Sequence, residues 1–252
     1  MRVVIIGAGN VASVLGRRIK NAGHNILQVV SRNDKTAKIL ADELGCQAAS
    51  DFSDIDKTGD IFIIALSDAA LDGLKEKINV GDKFVVHTAG SVSKDVLKNL
   101  TSNYGVLYPL QSMLKENNNT AAVIPLMIDG NNEDCIYHIR EFAKSISPIV
   151  NFADDESRLK LHTAAVLSSN FANHMYCLAK EFCEKENLDF KLLVPLIEET
   201  ATRLNHFSPC DMQTGPAARK DNVTLDKHLR LLSAYPKLRT LYLRMTDSIM
   251  NP

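Results

Sequence analysis

The sequence predicts an α/β protein, with a doubly wound, mostly parallel sheet in its first half and an all-helical second half. Two observations carry this. Short Val/Ile runs alternate with helical stretches through the first part of the chain, and apolar runs without polar alternation belong to strands covered on both faces. From Asp154 onward that rhythm stops, and apolar or small residues recur at three- and four-residue spacing. The predicted division is 1–153 for the sheet domain and 154–252 for the helical one.

Taken in order, strands are expected at "RVVIIG", "ILQVVS", "DIFIIAL", "KFVVHTA" and "GVLYP". Helices should start near Val11, Asp34, Asp68 and Ser93, with Asp34 as the N-cap of a helix running through Ala37 and Leu40. "AAVIPLMIDG" and "SPIVNFA" flank a helix from Asn132 to Ser147 and extend the sheet at one edge, and "KENNNT" reads as a surface loop. A long helix then begins at Asp154, a second spans Phe190 to Phe207, and two more fill Asn222 to Met250. Between them, "CDMQTGPAARKDN" combines a Gly-Pro break, with Pro216 suited to a first helical turn, and a cap at Asp221.

Composition narrows the partners. The chain has 252 residues, 45% of them hydrophobic, and 29 basic against 30 acidic residues leave a formal net charge of -1. That balance gives no electrostatic footprint for nucleic acid or a membrane surface, so a small-molecule substrate and protein partners are expected. The apolar start "MRVVIIGAGN" is closed by glycines rather than by a cleavage site, and no stretch is long enough to span a bilayer. Five scattered cysteines without a C-x-x-C pair read as buried free thiols in a reducing cytoplasm, with no metal site.

"VVIIGAGNVASVLGRRI" places Gly7, Gly9 and Ala12 in a G-x-G-x-x-A turn between a strand and a helix. Gly7 permits the tight turn, Gly9 lets the backbone approach a pyrophosphate, and Ala12 lets helix and strand pack closely. The backbone N–H groups around Asn10 and Val11 then face phosphate at the helix start. This is the fingerprint of a Rossmann dinucleotide-binding domain. At the end of the second strand, Ser31, Arg32 and Asn33 precede any acid, and Arg32 can pair with a 2′-phosphate, so NADP is expected over NAD.

Ligands of such sheets lie beyond the carboxyl ends of the strands. Leu66, Ser67 and Asp68 either line the ribose side or cap the next helix; His87, Thr88, Gly90 and Ser91 can set a titratable ring and hydroxyls beside a nicotinamide, or serve the strand end alone. Tyr108 and Gln111 in "YPLQS" are further candidates. In the long helix, positions 162, 166, 169, 170 and 173 share a face that mixes His162, Val166, Ser169, Asn170 and Asn173, and a ligand or a second subunit would satisfy its polar groups.

Through "GAGNVA", "HTAGS", "YPLQS", "LHTAAVLSSNFANH" and "TGPAARKDN", the chain resembles, over essentially its full length, a family of NADP-oxidoreductase-like proteins with a Rossmann-like domain and a C-terminal helical domain of unassigned function. It is more distantly similar to pyrroline-carboxylate reductases, 6-phosphogluconate and other β-hydroxyacid dehydrogenases, and deazaflavin-dependent NADP oxidoreductases. The β-hydroxyacid dehydrogenases use a helix Lys followed four residues later by Asn; here Asn170 matches the Asn, but Val166 stands at the Lys position and Lys160 is out of step. The resemblance therefore implies hydride transfer between NADP and a small carbonyl, imine or hydroxy-acid substrate held between the domains. His87 or His162 would exchange the proton, Asn170 would orient the polar group and Arg219 would clamp an anionic one or stiffen its own loop. A non-catalytic NADP sensor acting through its dimer or a partner is the alternative. A homodimer through the helical domain, with Leu238, Leu241, Tyr242 and Met245 as an apolar stripe, is expected on the same resemblance.

Overall fold

In a computed structural model of the chain, which describes residues 1–74, 78–116 and 122–251, eight strands form one sheet in the order β3-β2-β1-β4-β5-β6-β7-β8. The strands are β1 (Arg2–Ile6), β2 (Asn25–Val30), β3 (Gln47–Ala49), β4 (Ile61–Ile64), β5 (Phe84–His87), β6 (Asn103–Pro109), β7 (Leu126–Gly130) and β8 (Val150–Phe152). All neighbours run parallel except β6 and β7, which pair antiparallel from Gly105↔Gly130 to Pro109↔Leu126. The strand order reverses between β1 and β4, which creates a crevice beyond their carboxyl ends.

The continuous apolar runs are explained by two cores, one on each face. Along β1, Val3 and Ile5 enter a core built with Leu15, Ile19, Leu40, Ile139 and Phe142. Val4 and Ile6, pointing the other way, enter a second core with Leu71, Leu74 and Leu97. Every residue of a strand covered on both sides must be apolar, so no alternation remains for the sequence to show.

Helices α1 (Asn10–Asn21), α2 (Asp34–Leu44), α3 (Asp68–Leu71) and α4 (Glu133–Ile146) occupy the expected places, with three corrections. Asn33, not Asp34, caps α2: its side chain accepts from Thr36 N–H, while Asp34 sits one residue inside and pairs with Lys38 at 2.7 Å. α3 is a single turn, and the segment after Ser93 is a 3-10 turn, Lys94–Leu97, capped by Ser93. The short strand β3 lies on an edge and has no apolar run to announce it. The asparagines of "KENNNT" (117–119), with Thr120 and Ala121, lie outside the described residues.

The helical text from Asp154 divides into α5 (Asp155–Ala165), a π-helical segment Val166–Phe171 and α6 (Ala172–Lys185). Beyond it come α7 (Val194–Thr202) between two 3-10 turns, α8 (Asn222–Leu231) and α9 (Pro236–Met250). Asp221 caps α8 as expected, accepting from Thr224 N–H and Oγ1. Pro216 does not open a helix; residues 216–220 form turns closed by Asp221 N–H to the Pro216 carbonyl, with Lys220 at φ 54°.

By contacts the chain resolves into two compact units, Met1–Phe171 and Ala172–Pro252. β8 ends at Phe152, and α5 and the π-helical segment that follow group with the sheet. Hydrogen bonds from Ser93 Oγ to Asp155, from Arg158 to the Val92 carbonyl, and between Tyr108 and His162 tie α5 to the ends of β5 and β6. Among the described residues no helix is long and apolar enough to cross a membrane.

Candidate active site

A cleft of about 710 Å³ opens at the carboxyl ends of β1, β4, β5 and β6, and one wall is α5 with its π-helical continuation. It is lined by residues of the first unit. Of the residues expected to bind a dinucleotide, Gly9, Asn10, Val11, Leu66, Ser67 and Thr88 line it, as do His162 and Asn170 from the expected chemical group.

The glycine turn is built as its spacing requires. Gly7 has φ +118°, and a Cβ there would fall 2.2 Å from the Ala65 carbonyl oxygen. Gly9 is different: its backbone is extended and nothing lies within 4 Å of where its Cβ would be, so the turn faces open space. α1 starts at once, with no side-chain cap and no acid in its first turn. Its unpaired N–H groups and the positive end of its dipole are thus free to meet an anion, and the residues present fit a dinucleotide pyrophosphate. Ala12 is 1% exposed and packs in the core against the sheet, as the motif requires.

Ser31, Arg32 and Asn33 lie away from the main cleft. Arg32 is exposed and lines a second cavity of about 320 Å³ with Phe52, Leu66, Ser67 and Asp72; Leu66 and Ser67 are common to both cavities. Asn33 is occupied as a cap, and Ser31 donates its backbone N–H to the Ala49 carbonyl. Ser67 makes no side-chain capping bond to α3, so that hydroxyl is not explained by the helix it precedes. Asp68 accepts from Ser91 Oγ.

His87 is not a cleft residue. It is fully buried, its Nδ1 accepts from Ala89 N–H at 3.2 Å, and among the described residues its Nε2 has no hydrogen-bond partner. Burial, with the charge of Arg158 second, pushes its pKa down to about 4, against weaker pulls from the Ser93 backbone, Asp155 and Asp68. Burial and absence from the cleft lining set this ring apart from the place where a ligand would exchange protons. Arg219, the other expected group, is exposed in the turn before α8 and belongs to the second unit. Among the described residues no ion pair joins it to Asp221, although its charge helps hold that carboxyl below its ordinary range, after the hydrogen bonds from Thr224.

His162 is the titratable ring that the cleft does present. Its Nδ1 lies 2.9 Å from Tyr108 Oη, with the two rings edge to face at 5.8 Å. Among the described residues Nε2 has no hydrogen-bond partner. Gly90 makes this approach possible, since a Cβ there would fall 2.7 Å from His162 Nδ1 and 3.0 Å from Tyr108 Cε2. Tyr108 is 7% exposed, and burial raises its pKa, with the Arg158 charge acting against the rise and Asp68 adding to it. Ser112 and Ser169 share a hydrogen bond of 2.8 Å across the mouth, and Gln111 accepts from Ser112 N–H. Asn170 and Val166 lie on the π-helical wall, where five-residue spacing replaces four; Val166, at the position of the missing lysine, gives the cleft an apolar side chain and no amine.

Arg158 escaped the sequence reading. One turn before His162 on α5, it is 1% exposed, and its Nη2 donates to the Val92 carbonyl at 2.5 Å and to Asp155 Oδ1 at 2.7 Å. Its Nε and Nη1 are buried without partners. Burial alone would raise the Asp155 carboxyl, but Ser93, Arg158 and the Lys94 N–H hold it below its ordinary range. Asp155 is more than a third exposed, so its side of the pair meets solvent while the guanidinium does not. An arginine in the first turn of a polar helix carries no mark that distinguishes it from a solvent-facing one.

Residues 2–90 match the family model described as NADP oxidoreductase, coenzyme F420-dependent, and residues 124–249 match a domain of unknown function, DUF2520. No curated protein matches the sequence. A crystal structure from Bacteroides fragilis, provisionally described as an NADP oxidoreductase, is similar over 100% of this chain and 98% of its own, at 35% identity and a TM-score of 0.93. At the level of fold, a pyrroline-5-carboxylate reductase from Streptococcus pyogenes matches with 16% identity and a TM-score of 0.64, covering 100% of this chain and 99% of that one. An imine reductase from Myxococcus stipitatus in complex with NADP+ matches with 17% identity and 0.62, covering 99% and 92%. The cradle at Gly9, the strand order and these full-length likenesses agree, and the chain belongs to the family that joins a Rossmann-type NADP oxidoreductase domain to a C-terminal DUF2520 helical domain.

Proposed function

We propose that this protein is an NADP-dependent oxidoreductase that reduces or oxidises a small carbonyl, imine or hydroxy compound, with His162 and Tyr108 moving the proton. The observation that carries this reading is that one cleft contains both the open glycine turn of β1–α1 and the Tyr108–His162 pair. When bound, a reduced nicotinamide supplies a hydride to the substrate carbon. The chain supplies the rest. The 2.9 Å contact between Tyr108 Oη and His162 Nδ1 allows either to donate; in the proposed reading Tyr108 donates its O–H to Nδ1, which puts the ring hydrogen on Nε2, the nitrogen left for substrate. Transfer of that hydrogen to the substrate oxygen or nitrogen completes a reduction, and the reverse path serves oxidation. Asn170, on the same wall, can hydrogen-bond the substrate's polar atom. Leu161, Ala164, Ala165 and Val166 give this wall an apolar surface that excludes water.

NADP rather than NAD is supported by the groups at the end of β2. Arg32 is exposed, and among the described residues no carboxylate pairs with it, whereas Asp34 is already paired with Lys38. A guanidinium beside a shallow cavity suits a phosphate, and a diol without phosphate would leave it idle. A homodimer through the second unit is proposed as well. In Ala172–Pro252 the buried apolar side chains are Cys183, Ala217, Leu225 and Leu232, while Leu192, Leu196 and Val223 are 76%, 63% and 68% exposed. So small a core leaves large apolar side chains in need of cover, and a second copy supplies it.

Fluorescence titration with NADPH is expected to show binding in the wild type and at least about 100-fold weaker binding in Gly9→Leu, whose side chain has room to fold but fills the phosphate approach. Arg32→Ala should weaken NADPH by about 10-fold and leave NADH unchanged; equal wild-type affinity for NADH and NADPH would contradict the 2′-phosphate assignment.

In nicotinamide-absorbance assays over cyclic imines, ketones and hydroxy acids, His162→Ala should lower kcat by about 10²-fold or more on any substrate turned over, and Tyr108→Phe by less. Unchanged kcat in both variants removes the proposed chemistry. Binding without turnover across the panel would instead favour the sensor reading.

Light scattering at micromolar concentration is expected to give about twice the 27.8 kDa chain mass, and a monomer mass would rule the homodimer out.

A further inference from the structure

We propose that Arg158 is a positioning residue of the cleft, a buried cation one helical turn below His162 that stabilises the phenolate left on Tyr108 once a proton has passed through His162 to substrate. This rests on the reading of Tyr108 and His162 as the proton-transfer pair. In a reduction, the Nε2–H bond of His162 breaks as the new bond to the substrate oxygen or nitrogen forms. The Tyr108 O–H bond breaks as Nδ1–H forms, and its electron pair stays on the phenolic oxygen. The imidazole ends neutral, in its other tautomer, and one negative charge remains inside the protein. That charge needs a partner, because an isolated anion out of water is strongly disfavoured.

Three features make Arg158 the partner. Residues 158 and 162 are four apart on α5 and so share a face. The guanidinium is 1% exposed, and its charge reaches Tyr108, opposing the rise that burial imposes on the phenol. Its own charge is only partly neutralised: among the described residues Asp155 is the single carboxylate bonded to it, and Asp155 also accepts from Ser93 and from the Lys94 N–H. Among the described residues, the buried Nε and Nη1 of Arg158 have no partner. A guanidinium needed only to tie α5 to the Val92 carbonyl would not have to be buried in this state.

Lys94, paired with Asp129, faces Asp155 from the 3-10 turn after β5. On Tyr108 act Arg158 and His162 from α5 and Asp68 from α3; on His87 act Arg158, Asp155 and Asp68. His87, disfavoured as a cation by its burial and by the charge of Arg158, adds little charge to the cluster.

The test follows the Tyr108 ring directly, by ¹³C-tyrosine NMR titration of the full chain, with Tyr108→Phe to assign its signal among the six tyrosines. Arg158→Met should move the Tyr108 midpoint up by about one pH unit or more, and Arg158→Lys, which keeps the charge, should restore most of the shift. Asp155→Asn removes the opposing anion and should move the midpoint down; it also carries the test if Arg158→Met fails to fold by circular dichroism. A midpoint unmoved in folded Arg158→Met, a Lys variant that behaves like Met, or no downward movement in Asp155→Asn would overturn the assignment. The titration needs no substrate, so it stands apart from the turnover assay: unchanged kcat in both His162→Ala and Tyr108→Phe would remove the proton-transfer reading while leaving the electrostatic link measured.

Discussion

Gly7 donates its N–H to the Val30 carbonyl at 2.8 Å, while a Cβ on it would strike the Ala65 carbonyl oxygen at 2.2 Å. The chain leaving β1 is thereby pinned between the ends of β2 and β4, where the strand order reverses. Only a residue without a side chain, free to adopt φ +118°, can pass there. The direction of that passage sets everything after it. Gly9 is delivered to the crevice with open space where a side chain would be, and α1 starts with its amide groups toward that space. The apolar packing of Ala12, Leu15 and Ile19 on the sheet then holds the helix at the angle the turn demands.

A second close approach organises the opposite wall. Gly90 follows β5 and lies against the ring of His162, so α5 can come near enough for Tyr108 and His162 to bond. The approach brings polar groups under cover, and each has a specific answer: Asp155 for Arg158, Ser93 for Asp155, Asp129 for Lys94 at 2.8 Å. Among the described residues, two sites on Arg158 and one on His87 remain buried without partners. Native proteins leave few such groups, and where they cluster beside a cavity the cost is borne for something other than stability.

Much of the sheet was legible because burial on both faces writes itself as Val/Ile runs, and the Gly7–Gly9–Ala12 turn was legible because each residue answers a backbone requirement that no other type meets. β3 was not, since three edge residues, "QAA", need not be apolar. The cap of α2 was misplaced by one residue because Asn33 and Asp34 are both good caps and only geometry separates them. The π-helical segment has the same composition as an α-helix would, so spacing alone placed Asn170 on a simpler face than the one it occupies. His162 could be nominated from its neighbours, but its bond to Tyr108 joins residues 54 apart, and Arg158 is made distinctive only by its burial. His87 shows the converse, a residue attractive by position whose ring turns into the protein.

The central claim is that one cleft orders the dinucleotide so that its reactive ring meets the Tyr108–His162 pair. A crystal structure of the protein with NADP+ tests it most directly. The account predicts pyrophosphate on the amide groups that follow Gly9, the 2′-phosphate beside Arg32 and the nicotinamide between Thr88 and His162. A dinucleotide bound with its nicotinamide outside the cleft, or with its pyrophosphate away from α1, would contradict it.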